Sequence, residues 1–270
     1  MTDQAGESGV LLDGVVRAER RGHVLLITLN RPEARNAVNY ELAAALGAAV
    51  ELLNENDDLR VGVITGAGKA FCAGQDLKAL GAGEGLIPPE HAEWGFAGFV
   101  RHFSAKPIIA AVHGFALGGG LEIALACDLV VAEEGARLGL PEVTRGLFAA
   151  GGGVPRIAQQ IPQKVALRML LTGQPVSAEV AERWGLVNEV APVGTHVDVA
   201  LALAEVMAAN APLAVQATKR LVYEGANQSA WRDEPWVDID QTVAEIFASA
   251  DAVEGAQAFV EKRPPVWQAR

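Results

Sequence analysis

Two glutamates stand where an acid is costly. In the stretch GGGLEIALACDLVVAEEGARLGLPEV, residues 118 to 143, Glu122 falls among Leu121, Ile123, Ala124, Leu125 and Ala126, and Glu142 follows Pro141 just after the strand-like ARLGL. A carboxyl group in apolar surroundings has a raised pKa, so one of two such groups around a substrate can be protonated while the other is ionised near neutral pH. That is an acid and a base, the pair that addition of water to a double bond requires. The chain between them is long enough to go out along a helix, return along a strand and bring both carboxyls to one end. A plainer reading of the same residues stays open: Glu122 favoured by a helix N-terminus, and Glu142 a solvated loop residue among the 33 acidic residues of the chain.

Two glycine clusters, TGAGKAFCAGQD (65 to 76) and HGFALGGGLE (113 to 122), each follow an expected strand. Neither fits a phosphate cradle: Gly68-Lys69 is followed by Ala70 rather than Ser or Thr, and Gly66-Ala67-Gly68 lacks the third glycine of a dinucleotide fingerprint. Glycine does permit close backbone approach, and the first amides of a helix point outward without partners. If the two openings face each other, amides from both converge on one developing oxyanion, a device in which losing one donor costs on the order of 10²–10³ in rate. Tight packing of helix on strand would use the same glycines. His113, at a strand end with no nucleophile beside it, reads as a hydrogen-bonded structural histidine, and Cys72 as an inert thiol. His23, His91, His102 and His196 show no HxxxH or HExxH spacing and the two cysteines form no CxxC, so no metal and no disulfide is implied.

These residues need elements to hold them. From Val15, VVRAERRGHVLLITLN reads as two strands joined at Arg21-Gly22. Leu42, Leu46, Ala49, Val50 and Leu53 recur at helical spacing behind an Asn39 N-cap. VGVITGAG, PIIAAVHG and LVVAEEG make further strands between helical patterns, which predicts an α/β architecture with strands buried on both sides as far as about Val190. Beyond it, HVDVALALAEVMAAN, PLAVQATKRLVYEGAN, VDIDQTVAEIFAS and DAVEGAQAFVEKR are helical, a tail expected to pack on a neighbour or on its own core. The expected division is a flexible leader over residues 1–14, a core over 15–190 and a helical region over 191–270, with a mobile loop from Glu84 to Glu93.

A chain of 270 residues, 50% hydrophobic and 20% charged, suits a globular core with an extension. The net charge of −11 argues against nucleic acid and anionic membrane as partners, since both need a basic face; an anionic ligand would need a local basic pocket. No apolar run nears the roughly 18 residues of a membrane span, and MTDQAGESG lacks the layout of a signal peptide, so a cytoplasmic location is expected.

The blocks NRPEARNAV, GAGKAFCAGQDL, KPIIAAVHGFALGGGLEIALACD, GLPEVTRGLFAAGGG, LTGQPVSAEVAERWGLVNEV and FVEKRPPVW, in this order, resemble the enoyl-CoA hydratase/isomerase (crotonase) family from about Val15 to the C-terminus. The resemblance implies a crotonase-like spiral of ββα units with a C-terminal helical trimerisation region. It also implies an acyl-CoA thioester substrate, a homo-trimer or dimer of trimers, and no cofactor or metal beyond the CoA of the substrate. It assigns Glu122 and Glu142 to holding the water and exchanging its proton, and the backbone amides of Gln75 and Gly119 to an oxyanion hole. CoA would lie against Ala34 and Arg35 and along Gln75, Asp76, Leu77 and Lys78, with Arg31 and Lys69 near. Where many members have Pro-Gly-Ala-Gly-Gly after the second glutamate, this chain has Ala149-Ala150-Gly151-Gly152-Gly153, placing Ala150 at the amide that seats the water, a role it keeps if its φ is negative. AGQDLKAL, EVAERWGLVNEV and EGAQAFVEKRPPVWQAR are similar to the crotonobetainyl-CoA hydratase (carnitinyl-CoA dehydratase) group, for which Trp94, Phe96 and Phe99 are weak candidates for a trimethylammonium cage. The expected activity is reversible hydration of a 2-enoyl-CoA; double-bond isomerisation with one carboxylate and a non-catalytic acyl-CoA-binding subunit are the alternatives.

Overall fold

The computed structural model describes residues 9–83, 87, 89–225 and 234–270. Strands in chain order are β1 (Gly9–Leu12), β2 (Val16–Arg21), β3 (Val24–Leu29), β4 (Val61–Gly66), β5 (Ile108–Val112), β6 (Phe115–Leu117), β7 (Leu129–Glu133), β8 (Arg137–Gly139), β9 (Val176–Ser177) and β10 (Glu189–Ala191). The α-helices are α1 (Tyr40–Glu55), α2 (Leu77–Gly81), α3 (Gly119–Ala126), α4 (Gly153–Gln160), α5 (Gln163–Thr172), α6 (Ala178–Arg183), α7 (His196–Ala208), α8 (Pro212–Gly225), α9 (Glu234–Phe247) and α10 (Ala250–Glu261).

The expected hairpin forms, with β2 antiparallel to β3 and Arg21 opposite Val24. β1 adds to its outer edge, Gly9 opposite Arg20. Within the flexible leader expected over residues 1–14, this corrects Gly9–Leu12, where strand pairing satisfies backbone groups that a frayed segment leaves to water; residues 1–8 lie outside the described residues. From β3 the sheet turns parallel, giving the order β1-β2-β3-β4-β5-β7-β10.

β4 and β5 are buried almost throughout, so both faces of the sheet need cover. On one face α1 lays Leu42, Leu46, Val50 and Leu53 into the main core, its start fixed by Asn39, whose side chain accepts the Leu42 amide at 3.1 Å. On the other, Ala200, Ala204 and Ala208 of α7 lie on Val61, Val63, Ile109, Ala111 and Val131. The first helix of the expected tail therefore packs on the chain's own core, its alanines four residues apart allowing close approach. α8, α9 and α10 follow it. A smaller sheet, β6-β8-β9, carries the turns described next. Among the described residues no single helix is long and apolar enough to cross a membrane. Of the loop expected from Glu84 to Glu93, residues 84–86 and 88 lie outside the described residues, and Pro89–Trp94 form two 3-10 turns that meet at a kink at His91.

Candidate active site

Strand register brings the two glutamates together. β6 runs parallel to β8 with Leu117 opposite Gly139, so both strands end at the same level. The Gly118 amide donates to the Gly139 carbonyl at 2.9 Å across the exits. After β6 the chain enters α3, whose first turn holds Glu122; after β8 it passes Pro141 into a 3-10 turn that begins with Glu142. Gly118 takes φ +55°, and a Cβ there would stand 3.3 Å from Glu142 Oε1, so glycine serves both the turn and the neighbouring carboxyl. The route between the glutamates uses two strands, β7 in the large sheet and β8 in the small one, rather than the single returning strand expected. Both side chains line one cavity of 570 Å³.

Their environments differ. Glu122 is only 4% exposed, and its Oε1 accepts the Gly153 amide at 2.9 Å. Burial pushes its pKa above the ordinary carboxylate value, the Gly153 hydrogen bond opposes that, and the charge of Glu142 raises it further. The Glu142 carboxyl is also raised, by burial, and its Oε2 is buried without a hydrogen-bond partner among the described residues. Each carboxyl is thus easier to protonate than one in water.

The two glycine clusters do face each other. Cys72 bridges Ala116 in parallel, which lays the 72–75 segment beside β6. Gly74, at φ +91°, sits so near that an added Cβ would be 2.7 Å from the Leu117 carbonyl and 2.9 Å from the Gly119 nitrogen. On the other side Gln75 forms a parallel bridge to Val38, with Val38 donating to Gly74 and Asp76 donating to Val38, each at 2.8 Å. In such a bridge the middle residue's own N–H points away from the partner strand. Gly119 opens α3, where an amide has no intrahelical acceptor. Neither the Gln75 nor the Gly119 amide has an acceptor among the described residues, and both residues line the cavity. Ala150 lines it too and is not among the residues with positive φ, which meets the condition set for its amide.

The expected CoA residues divide. Gln75 and Leu77 line the cavity, whereas Ala34, Arg35, Asp76 and Lys78 do not. The 34–35 turn lies alongside, its Arg35 carbonyl accepting the Ala73 amide at 3.0 Å. Asp76 is occupied: its carboxylate caps α2 through the Lys78 and Ala79 amides and pairs with Arg31 at 3.3 Å. His113 is buried, its Nε2 3.2 Å from the Gly68 carbonyl, as a structural histidine would be. Cys72 is buried, its thiol donating to the Asn36 carbonyl at 3.0 Å and its pKa pushed by burial up to about 12, the environment of an unreactive thiol.

The enoyl-CoA hydratase/isomerase family pattern matches residues 19–270. The chain belongs to this family. An enoyl-CoA hydratase of Mycobacterium tuberculosis H37Rv superposes with a TM-score of 0.90 at 45% identity, over 94% of this chain and 99% of the other. A carnitinyl-CoA hydratase of Mycobacterium avium is 55% identical with a TM-score of 0.77, over 96% and 100%. A carnitinyl-CoA dehydratase of Salmonella paratyphi A is 41% identical over 256 residues, 93% of this chain and 97% of that protein. The crotonase fold expected from the sequence is the fold observed.

Within this family member, two residues shape the site that sequence reasoning missed. Asn36 is fully buried, its side-chain amide donating to the carbonyls of Ala67 (2.9 Å), Ala70 (2.8 Å) and Phe71 (3.1 Å) while its Oδ1 accepts the Arg31 amide (2.9 Å). It ties the RPEARN turn to the first glycine cluster. Arg156 of α4 donates to the carbonyls of Val100 and Gly151, joining two cavity walls. Only an asparagine conserving four bonds at once could be told from a solvated one, and the sequence carries no such signal. The three aromatic candidates for a trimethylammonium cage do not come together around the cavity. Trp94 has His91 stacked on one face at 3.7 Å and His102 on the other at 4.4 Å, and Phe99 is buried in the core. Of the three candidates Phe96 alone lines the cavity.

Proposed function

We propose that the protein is a carbon–oxygen lyase that adds water reversibly across the 2,3 double bond of a 2-enoyl-CoA. The observation that carries this reading is two carboxyls with raised pKa on one cavity wall, beside two backbone amides that lack acceptors. The thioester oxygen lies between the Gln75 and Gly119 amides, which stabilise its charge as the enolate develops. Water sits between the glutamates, seated by the Ala150 amide. Glu122, whose charged form the Gly153 amide favours, takes a proton from water as its oxygen bonds to C3. Glu142, whose Oε2 is buried without a hydrogen-bond partner among the described residues, delivers a proton to C2. The cycle leaves Glu122 protonated and Glu142 ionised; in that state the pair runs the dehydration, Glu142 taking the C2 proton while Glu122 protonates the leaving hydroxyl, and a proton passing from Glu122 to Glu142 resets it for another hydration. All groups needed are the chain's own, so the reading requires neither metal nor redox cofactor. CoA lies along the 34–35 turn and residues 75–78, with Asp76 fixing the backbone rather than touching the ligand.

The reading extends to a cytoplasmic enzyme, in keeping with the free buried thiols Cys72 and Cys127, and to a homo-trimer or dimer of trimers built through the C-terminal helices. Formation of 3-hydroxybutanoyl-CoA from but-2-enoyl-CoA tests the chemistry. Glu142→Gln is expected to lower kcat by about 10²–10⁴ while the ester still binds. Isomerisation alone would give no hydroxyacyl product, and a wild type inert across acyl lengths would leave only a binding role.

A further inference from the structure

We infer that the acyl end of this cavity selects an enoyl group carrying a carboxylate beyond C3 and rejects one carrying a quaternary ammonium. The inference rests on the hydratase reading for which carbon lies where. It separates this chain, by charge, from a carnitinyl substrate, which bears a trimethylammonium group.

The first observation is what the cavity lacks. A quaternary ammonium is held by open aromatic faces. Both faces of Trp94 are covered by histidine rings, and Phe96 lies over Gly119, so close that a Cβ there would be 2.4 Å from its ring. Among the described residues Phe148 is the remaining aromatic on the cavity wall, and one ring is not a cage.

The second is what the cavity holds. Arg101 and Arg145 both line it, and neither guanidinium has a hydrogen bond or ion pair among the described residues. In a chain of net charge −11 with many carboxylates available, two unpaired arginines facing one cavity form the local basic pocket that an anion needs. By contrast Lys219, in the adjoining cavity of 820 Å³, is neutralised by Asp128 at 2.7 Å. The carboxyls of Glu122 and Glu142 flank the reacting carbons and hold the exchanging proton between them, so they do not supply a fixed pair of charges for a cation.

The third is position. Gln75 and Leu77 mark the thioester and CoA side. Arg101 belongs with Val100, Phe148, Ala150 and Gly151 to the wall shared by the two cavities, on the Glu122 side. Arg145 ends the 3-10 turn that begins with Glu142. Both arginines therefore lie past the reacting carbons, where a substituent on C4 would point. A planar carboxylate can accept two parallel N–H bonds from either guanidinium, and a cation there meets like charge.

The test uses three esters of matched shape: 4-carboxybut-2-enoyl-CoA, 5-methylhex-2-enoyl-CoA and 4-trimethylammoniobut-2-enoyl-CoA. The expected kcat/KM order is carboxyl, neutral, ammonium, with steps of about tenfold or more, as charge-assisted hydrogen bonds give. Arg101→Gln and Arg145→Gln should each reduce the carboxyl-to-neutral ratio, and the double variant should bring it near one. Turnover of the ammonium ester at or above the neutral rate overturns the inference. So does an unchanged ratio in the double variant, or an equal loss for all three esters and for CoA itself, which would assign the arginines to the CoA phosphates. Calorimetric affinities of the saturated analogues should follow the same order. If no ester, but-2-enoyl-CoA included, is hydrated while that order of affinities persists, the hydratase reading fails and the charge selectivity stands.

Discussion

At the scale of single residues, the chemistry depends on a burial that the fold would be more stable without. Burial and the neighbouring carboxyl raise the folded-state pKa of Glu122 above its unfolded value, so the folded protein holds this proton more tightly than the unfolded chain does. Stability attached to the group is full below the unfolded pKa and is lost as pH rises through the folded one. Glu122→Gln removes that loss and keeps one acceptor for the Gly153 amide. The variant is therefore expected to gain stability relative to the wild type as pH rises from 5 to 8, read as the difference in denaturant midpoint at each pH, while hydration activity falls. An unchanged difference across that range would mean that Glu122 does not titrate as described. Glu122 and Glu142 were legible in the sequence because an acid in an apolar run is conspicuous. Asn36 was not, since its three acceptor carbonyls lie more than thirty residues along the chain and only folding brings them round one amide.

At the scale of elements, the site is a matter of loop spacing. The 72–75 segment and the start of α3 approach within the reach of a single Cβ at Gly74, where φ is +91°. Gly74→Ala would force the segment from the Leu117 carbonyl and move the Gln75 amide relative to that of Gly119. Displacement of about 1 Å from productive geometry costs on the order of 10² in rate, so kcat should drop by about that factor with the circular dichroism spectrum unchanged. Full activity would separate the two loops from the oxyanion role. The hairpin, α1, β4, β5, β7 and the four C-terminal helices were readable because each completes several periods of its pattern. β6 has three residues and β9 two, too few to show alternation, and their place is set by pairing across the small sheet rather than by local sequence. β1, GVLL, escaped because four residues along an exposed edge are too few to show alternation.

For the whole molecule, the large sheet closes both of its faces within one chain, and the most exposed phenylalanines lie on the last two helices. Phe247 of α9 is 76% exposed, and Phe259 and Val260 of α10 are 86% and 78% exposed. Scattered exposed apolar residues are ordinary, but fully presented phenylalanines on consecutive helices suit burial against another copy. The net charge of −11 sets the other half of the argument: copies repel at long range, so contact must be driven by apolar area and helped by salt, which screens the repulsion within about 10 Å at 0.1 M. Sedimentation should show the wild type as trimers or dimers of trimers whose dissociation on dilution is suppressed at higher ionic strength. The double substitution Phe247→Glu, Phe259→Glu should yield monomers, because it places two more like charges in the buried patch. Because α7 and not α8 to α10 seals the core, those monomers should keep the secondary structure of the parent. If the double variant sediments like the wild type, the helical tail is not where the copies meet.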